Sequence, residues 1–162
     1  MRKTIQVFLT IWTASCAAWA ADGAASLPAT FKSASELAAA LQKSIASGVD
    51  QASAPIANEP HYRINLIHRG KPGPAMAHAT GPAKGTEVHY ILDGEATVVT
   101  GGTLLRPGPD AKPGTTPTID NGISRHVAKG DVVVIPAGTP HWYKDVDGSV
   151  TYLEVRFDVD LK

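Results

Sequence analysis

The most informative segment of the chain is Gly130-Asp-Val-Val-Val-Ile-Pro-Ala-Gly-Thr-Pro-His141. It combines a turn, an apolar strand, a Pro-x-Gly corner and a histidine that opens the next strand. Gly138 permits a sharp bend, and Pro136 and Pro140 stiffen the chain on either side of it. His141 is thereby held in a fixed direction at the end of a buried strand, as a metal ligand must be.

Short strand-like runs surround this segment. The alternation of apolar and polar residues predicts a strand at 62–69, and short strand-like runs follow at 86–92, 95–100, 124–128, 131–135, 141–146 and 150–157. Glycine-containing turns separate them, and Asp93-Gly94 between two apolar runs predicts a hairpin. Asp147-Gly148 predicts a turn in the same way. Many short strands with regular turns favour a sandwich or a barrel.

Two segments do not fit the strand pattern. Residues 105–118 hold four of the twelve prolines and predict a long surface loop. Upstream of the strands, a capping-box pattern from Ser33 to Glu36 and apolar residues at helical spacing predict one helix over 34–47. Residues 49–60, with two prolines, are predicted to form a loop.

The first twenty residues resemble a secretory signal peptide. A basic start at Arg2 and Lys3 precedes an apolar run, and Ala18-Trp-Ala20 predicts cleavage between Ala20 and Ala21. The expected organisation is a signal peptide over 1–20, a lead-in with one helix over 21–60 and a β-barrel over 61–162. The expected location is periplasmic or secreted, and a lipoprotein attached at Cys16 is the alternative.

Composition narrows the chemistry of any site. Cys16 is the only cysteine, so the expected mature chain contains none, and a metal would be held by His, Asp and Glu. Loss of Arg2 and Lys3 leaves thirteen basic against fifteen acidic residues, and no basic stripe is present. Nucleic acid is therefore not an expected partner, nor is the membrane after signal cleavage.

The segment ending at His141 resembles the second cupin motif, Gly-x5-Pro-x-Gly-x2-His, and matches each of its fixed positions. Glu87 to Gly94 is similar to the Glu-x6-Gly half of the first cupin motif. Residues 62–157 as a whole are similar to the small cupin type-2 proteins of bacteria. The resemblance implies an all-β double-stranded β-helix, the cupin jelly-roll barrel, with one N-terminal helix before it. It is also compatible with a homodimer formed through the edge strand at 62–69.

The His-x-His half of the first motif is absent. His78 is the nearest preceding histidine, and the turn-like segment 81–85 separates it from Glu87. Residues two apart on a strand share a face, so His89 points wherever Glu87 points. The predicted ligands of one divalent transition metal, Fe, Mn, Zn, Ni or Cu, are His78, Glu87, His89 and His141. The strand step of about 6–7 Å between Glu87 and His89 argues against both binding one ion closely.

Two functions follow from the resemblance. The first is a metal-dependent enzyme of dioxygenase, isomerase or lyase type acting on a small organic molecule, with Glu87 or His89 transferring protons. The second is a barrel without catalytic activity that binds a small ligand such as a sugar or an aromatic acid. The first function is the leading hypothesis, and the incomplete first motif adds weight to the second.

Overall fold

The computed structural model of the protein describes residues 28–70, 78–79 and 85–158. In chain order, its elements are α1 (Ala34–Ala46), β1 (Ala52–Asn58), β2 (Tyr62–Arg69), β3 (His78–Ala79), β4 (Thr86–Thr100), β5 (Thr103–Leu105), β6 (Thr118–Asp120), β7 (Ile123–Ala128), β8 (Val132–Ile135) and β9 (Pro140–Phe157). The predicted signal peptide and segment 81–84 lie outside the described residues. Within these residues, no helix has the length and hydropathy needed to span a membrane.

Helix α1 begins as the sequence predicts. The backbone N–H of Glu36 donates to the Ser33 hydroxyl, and the Glu36 carboxylate accepts from the Ser33 backbone N–H at 2.8 Å. This reciprocal pair satisfies two N–H groups that the first helical turn leaves without partners. The helix ends at Ala46 and packs beside β1, on the outside of the sheet.

Strand β1 corrects the predicted loop over residues 49–60. It pairs with β2 alone and forms the edge of the sheet, where a proline does not remove a ladder hydrogen bond. The register shifts between Pro55 and Ala57, so the strand accommodates the proline at a bulge. Pro55 was a misleading sign of a loop because an edge strand tolerates it, whereas Pro60 does lie outside the strand.

Two long strands, β4 and β9, organise the rest of the molecule. The part of β4 before Glu95 pairs with the part of β9 from Val150 onward, and β2 and β8 extend this first half-sheet. The part of β4 from Glu95 onward pairs with the start of β9, and β3 and β7 extend this second half-sheet. Each long strand therefore belongs to both half-sheets.

The hairpin predicted at Asp93-Gly94 and the turn predicted at Asp147-Gly148 are wrong, because both pairs lie inside continuous strands. Gly94 has φ 75° and Gly148 has φ 68°, and the register shifts between Gly94 and Glu95. These positions bend the strands where one half-sheet becomes the other. The Asp-Gly sequences correctly predicted a glycine with positive φ. The long-range pairing of β4 with β9 determines that this glycine bends a continuous strand and does not end it in a turn.

A single core joins the two half-sheets. Its buried residues are Ile67, Ile91, Ala96, Val98, Val127, Tyr143, Val146, Val150 and Tyr152, which come from β2, β4, β7 and β9. Tyr143 of the second half-sheet stacks on Tyr152 of the first, with ring centroids 4.9 Å apart. The half-sheets thus face one another across this core, which confirms the predicted all-β, jelly-roll architecture with one preceding helix. The predicted long loop is confirmed between β5 and β6, which pair as a separate arm.

Candidate metal centre

Strands β4 and β9 place three of the predicted ligands in the interior. Glu87 and His89 lie on the inward face of β4, where burial alternates with every second residue. His141 is the second residue of β9 and follows the corner formed by Pro136 to Pro140. All three side chains are almost completely removed from solvent. The period-2 alternation and the glycine–proline corner are therefore what bring them to one place.

The three side chains converge on a common point. Glu87 Oε2 lies 3.3 Å from His89 Nε2 and 3.3 Å from His141 Nε2. One ligand atom from each residue lies within 4.8 Å of the other two. The strand step was expected to keep Glu87 and His89 from binding one ion closely. This expectation is wrong, because the ends of the two side chains lean toward each other. Two imidazole nitrogens and one carboxylate oxygen suit Zn, Fe(II), Mn, Ni or Cu.

Hydrogen bonds on the far sides of the rings orient both histidines. His141 Nδ1 donates to the Thr139 carbonyl at 3.3 Å, which leaves Nε2 facing Glu87. His89 Nδ1 lies 3.1 Å from the Tyr143 hydroxyl. Such partners fix the ring orientation and the protonated nitrogen of metal-binding histidines. Both rings therefore present Nε2 to the point where the three side chains meet.

Replacement of Tyr143 by phenylalanine is expected to lower metal affinity by about 10-fold, the lower end of the usual effect of losing such a partner. The ring stays in place, so the loss isolates the hydroxyl. Tyr152→Phe is the matched control, because Tyr152 stacks on Tyr143 without a hydrogen bond to His89 among the described contacts. Metal titrations of the two variants compare them, and equal affinities would show that the Tyr143 hydroxyl does not orient His89.

Arg156 keeps the Glu87 carboxylate ionised. Its Nη2 lies 2.8 Å from Glu87 Oε1, so that oxygen is occupied and Oε2 is turned to the histidines. Burial raises the pKa of Glu87, but hydrogen bonds from His141 and His89, together with the charges of His141 and Arg156, hold that pKa well below its usual range. The carboxylate is therefore negatively charged at neutral pH, as a metal ligand must be.

Sequence reasoning missed two charged residues of the site, Glu154 and Arg156. Glu154 Oε2 lies 3.9 Å from His89 Nε2, and Glu154 Oε1 accepts from Asn65 Nδ2 at 3.1 Å. In β9 these residues pair with His89 and Glu87, respectively. The alternation in 150–157 showed which residues share a face, but only the register with β4 shows that this face meets the ligands.

Three of the four remaining histidines have the following positions. The backbone of His78 pairs with that of His141, and its side chain lies outside the described part of the structure. His126 is exposed, and its Nε2 lies 3.2 Å from Glu95 Oε2. His68 Nδ1 lies 2.8 Å from the Thr151 hydroxyl, so this ring nitrogen has a hydrogen-bond partner on β9.

Comparison with known proteins agrees with this architecture. A sequence model described as cupin matches residues 46–156. The structure is similar to the Cnp3 cupin domain of Schizosaccharomyces pombe, with 13% identity and a TM-score of 0.52 over 70% of this chain and 68% of that chain. It is similar to the TT1209 protein of Thermus thermophilus, with 19% identity and a TM-score of 0.53 over 80% of this chain and 98% of that chain.

A third similar structure is that of Fe(II) HppE, with 14% identity and a TM-score of 0.50. The match covers 66% of this chain and 50% of the HppE chain, so it spans about half of that protein. At such identities the likeness concerns the fold alone. Comparison with curated protein sequences gives no match. The cupin sequence match extends over most of the chain and coincides with the barrel, and the protein therefore belongs to the cupin family.

Proposed function

We propose that the protein binds one divalent transition metal through Glu87, His89 and His141 and uses it to act on a small organic molecule. The convergence of these three buried side chains carries the proposal. Burying a carboxylate and two imidazoles away from water is unfavourable unless they are paired or coordinate a metal. Three protein ligands also leave coordination positions for a substrate or water, as in catalytic sites. The backbone of His78 lies next to that of His141, which keeps His78 as a predicted fourth ligand.

A metal ion here would polarise a substrate oxygen or activate O₂. The protein's own groups would then orient the substrate and move protons. Glu87 and His89, the predicted proton-transfer residues, both point at the metal position. Glu154 is the nearest other carboxylate among the described residues, at 3.9 Å from His89 Nε2, and it is partly accessible. We assign it the proton-transfer role, because a catalytic base must be close to the reacting group and free of the metal.

The iron(II) and cobalt(II) forms of HppE have the same fold and bind a metal, as their names state. This supports metal-dependent chemistry in the present barrel without specifying the reaction. The location proposed from the sequence is the periplasm, after cleavage between Ala20 and Ala21. Protein for the following experiment is therefore exported, and its intact mass is expected to correspond to a chain that begins at Ala21.

The experiment uses metal-free protein loaded with Co(II), whose visible spectrum responds to changes in coordination. Small oxo acids, hydroxy acids, sugars and phenols are added in turn, and products are sought by mass spectrometry with Co(II) and with Fe(II), Mn, Zn, Ni or Cu. A spectral change together with a product supports the proposed enzyme. A spectral change without any product with any metal favours a barrel that only binds a small ligand. Failure to take up any of these metals contradicts the proposal.

A further inference from the structure

Arg69 is a buried cation that the metal centre does not use. It is the last residue of β2, pairs with Val150 of β9 and is only 6% exposed. Arginine is almost never fully buried unless an anion accompanies it, because transfer of an unpaired charge from water is strongly unfavourable. Among residues 28–70, 78–79 and 85–158, no carboxylate lies within ion-pair distance of Arg69. The structure thus contains a buried positive charge whose counter-ion is not found in the described chain.

The two buried or partly buried carboxylates of the metal centre already have other partners. Glu87 is bound to Arg156 and faces the two histidines. Glu154 accepts from the amide of Asn65 and lies close to His89. With a divalent metal in place, the two glutamates, Arg156, Arg69 and the metal would sum to a net positive charge. The interior therefore favours an anionic ligand.

The guanidinium of Arg69 lies over one aromatic ring and also interacts with the side chain of Tyr152. Its Cζ lies 5.1 Å from the centroid of the Tyr143 ring, which is in turn stacked on Tyr152. A cation–π contact of this kind stabilises the cation without neutralising it. Arg69 Nε is buried and has no hydrogen-bond partner in the described structure. One N–H group on the edge of the guanidinium is therefore available for an acceptor.

We propose that Arg69 binds the carboxylate of the small molecule on which the protein acts. A guanidinium edge presents two parallel N–H groups that match the two oxygens of a planar carboxylate. A single cation stacked on one aromatic ring suits a singly charged, flat anion better than a phosphate. Tyr143 connects this position with the metal centre, since its ring lies beneath Arg69 and its hydroxyl lies on His89. The substrate would accordingly be a small carboxylic acid with a second oxygen function about one tyrosine side chain away. The statement that this acid is a substrate, and not only a ligand, rests on the proposed function.

The test uses the exported protein without metal, so that carboxylates cannot bind through the ion. Formate, acetate, pyruvate and benzoate are titrated by calorimetry beside their amides and beside inorganic phosphate. In the wild type, at least one acid is expected to bind at least 10-fold more tightly than its amide. Arg69→Met, which keeps much of the side-chain length and removes the charge, is expected to abolish this preference, and Arg69→Lys to retain part of it. Arg63→Met is the matched control, since Arg63 lies on the same strand with its side chain exposed.

Three results would overturn the inference: no binding of any of the four acids, an unchanged preference in Arg69→Met, or tighter binding of phosphate than of every acid. If Arg69→Met does not fold, the ¹⁵N resonance of Arg69 Nε in the wild type provides the readout. It is expected to shift with the acid and to remain unchanged with the amide, and equal shifts would also overturn the inference. Metal content is measured in parallel. A wild type that takes up no metal but prefers the acid refutes the proposed function and leaves the anion site standing.

Discussion

Replacement of His141 by alanine is expected to weaken metal binding by more than about 100-fold, because loss of a mere outer hydrogen-bond partner already lowers affinity by about 10–100-fold. The variant retains Glu87 and His89, but these two residues supply only one nitrogen and one carboxylate and leave the position of His141 without a ligand. Near-stoichiometric metal in the wild type and almost none in the variant, measured by mass spectrometry after loading and desalting, is the expected result.

A second measurement gives the same comparison an independent readout. At a metal concentration about 1000 times the dissociation constant, binding to the folded state raises the free energy of unfolding by about 4 kcal/mol. The wild type should show this stabilisation in thermal denaturation, and His141→Ala should not. His126→Ala is the matched control, because His126 is exposed and paired only with Glu95 among the described residues. Equal metal content in His141→Ala and His126→Ala would exclude the proposed centre.

Replacement of Gly94 by alanine is expected to reduce the free energy of unfolding by about 2–5 kcal/mol, which combines about 1–2 kcal/mol for a left-handed backbone with about 1–3 kcal/mol for overpacking. A Cβ atom built on Gly94 would overlap the carbonyl oxygen of Ser149, so the β4 and β9 backbones would have to move apart. Chemical denaturation of the metal-free protein measures the effect.

Gly148→Ala separates backbone conformation from contact. Gly148 has a similar φ of 68°, but a Cβ atom there would meet nothing within 4 Å. It should therefore lose only about 1–2 kcal/mol of stability, the part due to the left-handed backbone. If both variants lost the same free energy of unfolding, the close approach of β4 to β9 at Gly94 would not contribute to the effect of Gly94→Ala.

Local sequence predicted those parts of the fold that depend on neighbouring residues. The capping box predicted the start of α1, and the segment from Gly130 to His141 predicted a strand, a corner and an inward histidine. Its predictions were wrong where a distant strand determines the outcome. Asp93-Gly94 has the composition of a hairpin turn, and only its pairing with β9 shows that it is a bend within one strand.

The same distinction applies to the site. Glu87, His89 and His141 were found because family motifs and alternation along a strand are properties of short segments. Arg69 and Arg156 were missed because an arginine in a strand normally faces solvent, and their inward orientation depends on partners from other parts of the chain. An unexplained arginine at an inward-facing position was the available signal. Using it required the registers of β2 and β4 with β9.

The pairing of β4 with β9 also has a kinetic consequence. Four strands intervene between them in the sequence, so their ladder is among the most non-local contacts of the barrel. Chains dominated by such pairings fold slowly, because the entropy of closing a long loop is lost before the contacts compensate for it. Glu87 and His89 lie on one of these strands and His141 on the other. A nascent or partly folded chain therefore holds only part of the proposed ligand set, and metal uptake by these residues should occur late, in the same step as the barrel forms.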